Sequence, residues 1–251
     1  MSTNLPGAAL AGIILATSAI AAGASSLKDV EFTDQFPLDQ CAALATHTGA
    51  GPGGGAQNRY FPLVVNRVLE LSNAACVAAG ECEELEEVRI TILDETEVVD
   101  GTTTRVLEER EWVDGELVEV SRNFYVECVG TEDVYYFGED VLDGEGNPLP
   151  DGWRAGEGGA RPGIIFPGGA FLIGSRYFQE IAPGVALDRA EHKAQGIEFD
   201  ANGFLFEDCV LVEDTNALSD PKGKEGDDKI YCPGVGLVTD EELELVNIVY
   251  P

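Results

Sequence analysis

The sequence predicts an all-β, mostly antiparallel fold: a meander forming an open half-barrel or sandwich of about ten to twelve strands, preceded by a flexible N-terminal leader. Three observations carry that expectation. Asp100-Gly101, Asp114-Gly115 and the turn Asp200-Ala201-Asn202-Gly203 separate runs rich in β-branched and aromatic residues, and such pairs supply the positive φ that hairpin turns require. Between the turns, apolar and polar residues alternate with a period of two. The chain has 251 residues, 44% of them hydrophobic, which suffices for one sizeable core.

From Leu5 to Ala24 no residue is charged, and polar SSLKD follows at once. This reads as a signal peptide over residues 1–24, cleaved after Ala22-Gly23-Ala24. The n-region MSTN lacks Lys and Arg, and the competing reading is a retained anchor, a weakly apolar span of ~20 residues. Residues 25–57 read as a leader, with the Gly-rich run Gly49 to Gln57 as linker. No Lys-Ser or Lys-Thr follows that run, so it is not a phosphate loop.

The β domain is expected over residues 58–251. Asn66 to Glu87 reads as two strands, about 67–72 and 84–94, joined by a loop that a Cys76–Cys82 bridge closes. A meander follows: VRITILDETEVV, TTTRVLEEREWV, ELVEVSRNFYVECV and DVYYFGEDVL. In its third strand Val118, Val120, Phe124 and Val126 share one face, interrupted by Arg122. Glu119, Ser121 and Asn123 share the other, as in a sheet with one buried and one wet face. A second group of hairpins runs from SRYFQEIAPG to DKIYCPGVGLV, and ELELVNIVY makes the last strand.

Six cysteines behind an export signal favour disulfides and a secreted or periplasmic location. If the strands around Cys209 and Cys232 are antiparallel neighbours, these two side chains lie opposite each other and pair. Cys76 with Cys82 is the second expected pair, and Cys41 with Cys128 remains by elimination. Close CxxC pairs are absent and there are two histidines and one methionine, so no metal centre or blue-copper site is expected, nor any cofactor. A net charge of −31 repels phosphate backbones and anionic lipid, which excludes nucleic acid as a partner and, once the signal is removed, stable membrane insertion. Five lysines stand against ten arginines, and an acidic, Lys-poor surface suits a saline medium that screens self-repulsion.

The phrases YFPLV (60–64), ILDETEVVDG (92–101), YYFGED (135–140), GARPGIIFPGG (159–169), YFQEIAPGVALDRAE (177–191) and YCPGVGLV (231–238) resemble a widespread group of exported bacterial proteins of unassigned function. The resemblance covers roughly Tyr60 to Val246. It departs at RVLEL, where the group carries Trp and Tyr, and at Cys232, where Ala is usual, which suggests a locally added disulfide. The closing phrase also resembles that of periplasmic proteins with a half-open antiparallel barrel around a helix or a lipid-sized cavity, and this implies fold and compartment without implying an activity.

Candidate ligand-binding residues fall in or beside these phrases: Tyr136, Glu139, Trp153, Arg161, Tyr177, Gln179 and Glu180, with Tyr135, Phe137 and Phe178 next to them. Aromatic walls with a few placed polar groups are what ligand sites use. The competing reading is ordinary core, with Arg161 paired to Glu139 or Glu180. Carboxylate pairs such as Glu108-Glu109, Glu139-Asp140 and Asp227-Asp228 meet a glycosidase's residue types but not its required geometry. No GxSxG occurs and neither histidine sits in a catalytic context. Asp143-Gly-Glu-Gly-Asn147 opens like a calcium loop, yet Pro148 stands where the obligatory Gly belongs and Arg154 where the bidentate Glu belongs, so a hairpin turn is expected there. Calcium is left with weak, unspecific binding to the acidic surface. The leading functional expectation is an exported, non-enzymatic binding or surface-associated protein holding an apolar ligand in the half-barrel. The alternatives are a structural component pairing with a protein partner through strand edges and a carboxylate-dependent hydrolase.

Overall fold

The computed structural model describes residues 32–46, 57–221 and 226–251, and Phe32 to Pro251 form one compact unit. The signal segment 1–24 and the linker residues 47–56 lie outside the described residues. A 3-10 turn, Leu38–Gln40, leads to β1 (Leu44–Ala45) and β2 (Val68–Ser72). A short helix, α1 (Ala74–Ala79), precedes the meander β3 (Glu86–Val99), β4 (Thr102–Val113), β5 (Glu116–Cys128) and β6 (Val134–Asp143). Then come β7 (Trp153–Arg154), β8 (Arg161–Phe166), β9 (Arg176–Phe178) and β10 (Glu180–Ile181). The chain finishes with β11 (Asp188–Ala201), β12 (Phe204–Asn216), β13 (Asp227–Cys232), β14 (Gly236–Asp240) and β15 (Leu243–Val249).

The all-β antiparallel expectation holds, with 15 strands in one sheet. The number exceeds ten to twelve because β1, β7 and β10 are two residues long, too short to leave an alternation. The hairpins form at the expected turns, with φ of 46° and 73° at Asp100-Gly101, 50° and 82° at Asp114-Gly115, and 50° and 91° at Asn202-Gly203. Between β2 and β3 the expected loop is α1, ended by Gly80 in the left-handed conformation and stapled by Cys76–Cys82.

The sheet runs β10-β8-β6-β5-β4-β3-β2-β15-β14-β13-β12-β11-β9. Its two ends are successive pieces of one segment, because β9 pairs with β11 (Phe178 opposite Arg189) and β10 pairs with β8 (Glu180 opposite Pro162), with only Gln179 between them. That segment, 176–181, is therefore the seam of a nearly closed barrel. Two close approaches make it possible. A Cβ at Gly163 would lie 2.2 Å from the Gln179 carbonyl oxygen, and one at Gly138 would lie 2.2 Å from that of Trp153, so the phrases GARPGII and YYFGED each carry a glycine where two backbones touch.

Closure reassigns the faces of the meander. Leu107, Glu109 and Glu111 of β4 stand opposite Asn123, Ser121 and Glu119 of β5, and all six line an internal cavity. The polar face expected to be wet on the outside is thus the lumen wall. On the opposite face Val106, Phe124 and Val126 are buried, with the Arg154 guanidinium 4.6 Å over the Phe124 ring. An aromatic core fills the barrel beside the cavity: Tyr60, Phe61, Tyr125, Tyr136, Trp153, Phe166 and Tyr231 are linked by successive ring contacts of 4.6–6.5 Å.

The leader is only partly as expected, since residues 32–46 pack on the barrel. Thr33 bridges Tyr177 on the seam, and β1 takes the edge of β5 at Glu127 and Cys128, beyond the last β4 partner at Tyr125. Phe36 stands edge-on to Tyr135, and Arg105, 1% exposed, donates to the carbonyls of Thr46, Leu93 and Glu95. Cys41–Cys128 ties this segment to β5, Cys76–Cys82 closes α1, and Cys209–Cys232 links β12 to β13, so all three pairings agree with expectation.

The loops closed by Cys41–Cys128 and Cys76–Cys82 span 87 and 6 residues. Chain-entropy arguments assign about 4.5 and about 2.5 kcal/mol to loops of these lengths. Urea unfolding of C41S/C128S and of C76S/C82S is expected to show the larger loss for the first. Gly163→Ala forces the seam backbones apart, and a loss of about 1–3 kcal/mol is expected in the same assay.

Candidate functional site

The barrel encloses a cavity of about 630 Å³, within the range of small-molecule sites. Most wall strands contribute carboxylates: Glu109 and Glu111 from β4, Glu119 from β5, Glu139 from β6, Glu180 from the seam, and Asp188, Asp214, Asp227 and Asp240 from β11 to β14. Exposed Glu241 and Glu242 stand at the rim. Phe61, Tyr125, Tyr136 and Tyr231 supply an aromatic part of the wall.

Two cations face these acids. Arg67 is spent on the backbone, donating to the carbonyls of Pro62 and Gly234. Lys229 sits between Asp240 at 3.0 Å and Asp214 at 3.5 Å. Burial opposes its charge, but the two aspartates outweigh that and hold it protonated well above the usual lysine range. Among the described residues no salt bridge reaches Glu109, Glu139, Glu180 or Asp188.

Crowded carboxyls in a medium of low dielectric cannot all ionise, so some keep their protons at neutral pH. Burial pushes Glu109 up to about 8, with Glu111 repelling its charge. Burial also raises Glu139 to about 7, the Tyr136 hydroxyl pulling the other way and Glu119 and Asp188 adding to the rise. Glu180 lies well above the usual carboxylate range, first through burial and then through Glu139 and Asp188. Asp188 is raised by burial, with Lys229 and Arg189 offsetting part of it. Asp214 rises to about 6 by burial, restrained by Lys229.

Of the residues expected to bind ligand, Tyr136, Glu139, Gln179 and Glu180 line this cavity. Trp153 packs edge-on to Tyr136, its centroid 5.3 Å away, and its indole N–H approaches Glu180 without completing a hydrogen bond. Arg161 does not join them. Its guanidinium pairs with Asp34 at 2.9 Å and also donates to that residue's carbonyl, so the leader takes the arginine expected to meet Glu139 or Glu180. Tyr177 is also elsewhere, bonded through its hydroxyl to His192 Nε2 at 3.1 Å in the packed core. Tyr135 and Phe137 are buried core, and Phe178 packs on Phe32. The Asp143 turn is a hairpin turn, its carboxylate accepting the N–H groups of Glu145 and Asn147.

Glu109, Glu111, Glu119, Asp188, Asp214 and Lys229 are not assigned to a site by the sequence, because alternating charges read as a solvent face. One signal was present. VLEEREWV puts charge on both faces of an interior strand, with Glu108 and Arg110 on one and Glu109 and Glu111 on the other, which a sheet packed on one side cannot bury.

Among the described residues, no three His, Cys, Asp or Glu side chains converge as metal ligands do, and no helix is long and apolar enough to cross a membrane. Fold and site together define an antiparallel barrel with an acidic lumen. No protein-family model, curated protein or solved structure matches the chain.

The raised carboxyls set a pH dependence. A carboxyl whose folded value lies above its unfolded one imposes no penalty below about 4.5, and the penalty grows as pH rises through the folded value, here about 8 for Glu109. Glu109→Gln is therefore expected to melt like the parent at pH 4.5 and to be more stable at pH 8.5, by on the order of 1–2 kcal/mol. Melting curves followed by circular dichroism decide it, and a parent that stabilises steadily from pH 5 to 8.5 contradicts the burial of these acids.

Proposed function

We propose that this chain is an exported, non-enzymatic binding protein that holds a positively charged organic ligand inside its barrel. One observation carries the reading: a cavity of about 630 Å³ whose carboxylates far outnumber its two cations, both already engaged. Three disulfides fit an oxidising compartment. The apolar ligand expected from the sequence would leave half-buried Glu109, Glu139 and Glu180 without a cation, so each would have to stay protonated or carry an uncompensated charge. A cation turns the same wall into an asset, and the tyrosine faces add to its attraction. Carboxylates dispersed around the wall suit an extended organic cation better than a single metal ion.

Carboxyls that hold protons near neutrality also favour a second reading, hydrolysis by an acid and carboxylate pair built from Glu139 and Glu180. Turnover of chromogenic glycosides that Glu180→Gln abolishes would favour it over simple binding.

Binding must displace protons from the wall, so affinity follows ionisation. Isothermal titration with a primary alkylamine is expected to give at least tenfold tighter binding at pH 8 than at pH 5, as Asp214, Glu139 and Glu109 ionise at about 6, 7 and 8. A flat profile counts against a cation in the lumen.

A further inference from the structure

The cavity wall is not uniform. Lys229 already neutralises the side formed by Asp214 and Asp240. Glu139, Glu180 and Asp188 line the same cavity, Asp188 on β11 diagonal to Asp214 on β12; Asp188 raises the proton affinity of the other two, and no described cation forms a salt bridge with any of the three. Tyr136 lies alongside, its hydroxyl donated to Asn123 Oδ1.

A second feature of the same cavity is independent of the acids. Gln179, 3% exposed, lines the cavity from the seam, and its amide nitrogen has no hydrogen-bond partner. It approaches Asp214 without reaching it in bonding geometry. Thr215, 7% exposed, lines the same cavity with its hydroxyl unpaired. Buried polar groups are almost always satisfied, and the exceptions call for a partner. An unpaired amide N–H₂ calls for an acceptor. A plain alkylammonium or a fully protonated polyamine has none to offer, whereas a hydroxyl oxygen provides one.

The geometry points to a hydroxylated primary amine of the amino-sugar class as the occupant, with its ammonium against Glu139, Glu180 and Asp188 and a neighbouring hydroxyl accepting from Gln179. The inference rests on the cation-binding reading above and narrows it. Tyr125 and Tyr136, whose ring centroids are 4.6 Å apart, give the ligand's carbon skeleton an apolar wall, the combination that orients sugars in mostly apolar clefts with a few placed polar groups. The inner carboxylates accept its remaining hydroxyl protons.

The test is isothermal titration of the full exported chain at pH 7 with three probes: glucosamine, cyclohexylamine and N-acetylglucosamine. Cyclohexylamine keeps the ring and the charge but lacks acceptors, and N-acetylglucosamine keeps the hydroxyls but lacks the charge. Glucosamine is expected to bind about tenfold or more tightly than either. Gln179→Leu is expected to erase glucosamine's advantage over cyclohexylamine. The two failures separate cleanly. Equal binding of the two amines overturns the amino-sugar assignment and leaves the cation reading standing. Failure of both amines, or N-acetylglucosamine binding as tightly as glucosamine, overturns both. The comparison of probes on the parent protein decides the matter even where the variant does not fold.

Discussion

The structure depends on one piece of main chain, residues 176–181, that hydrogen-bonds to both ends of the same sheet. Without that seam, β8 and β11 would be open edges, and the alternating acids of β4 and β5 would face bulk water as they do in any one-sided sheet. With it, the same residues become the lining of a chamber. The seam tolerates no side chain where it crosses β8, which is why a glycine stands at 163. It also delivers Gln179 and Glu180 into the lumen, so the element that closes the barrel furnishes part of its site.

Closure has an electrostatic cost that the rest of the molecule manages in two ways. Lys229 neutralises Asp214 and Asp240 directly. Glu109, Glu139 and Glu180 respond by holding their protons more tightly, which trades charge for neutrality without moving an atom. In the proposed reading, protons and a cationic guest would compete for these carboxyls, in the pH range where Glu139 and Asp214 titrate.

Much of the fold was legible because hairpin chemistry is local. Asp-Gly pairs dictate their turns regardless of what the strands later pack against, and the disulfide at Cys209 followed from two strands flanking one loop. The site was legible only where aromatic residues marked it, at Tyr136, Glu139, Gln179 and Glu180. Glu109 and Asp214 were hidden because alternation fixes which residues share a face but not which side of the sheet is the inside; that is decided by curvature, a property of all the strands together. Arg161 was misplaced for a related reason, since its partner Asp34 lies 127 residues away in a segment whose composition reads as linker.

The bond between Cys41 and Cys128 gives the N-terminal region an unusual topology. Every residue from 42 to 127 belongs to a covalent ring, one that contains β1 to β4, α1 and most of β5. A single protease cut anywhere in that ring opens it without detaching anything, and the severed ends stay joined until a reductant arrives. In a medium rich in secreted peptidases, the first nick on this molecule is therefore silent.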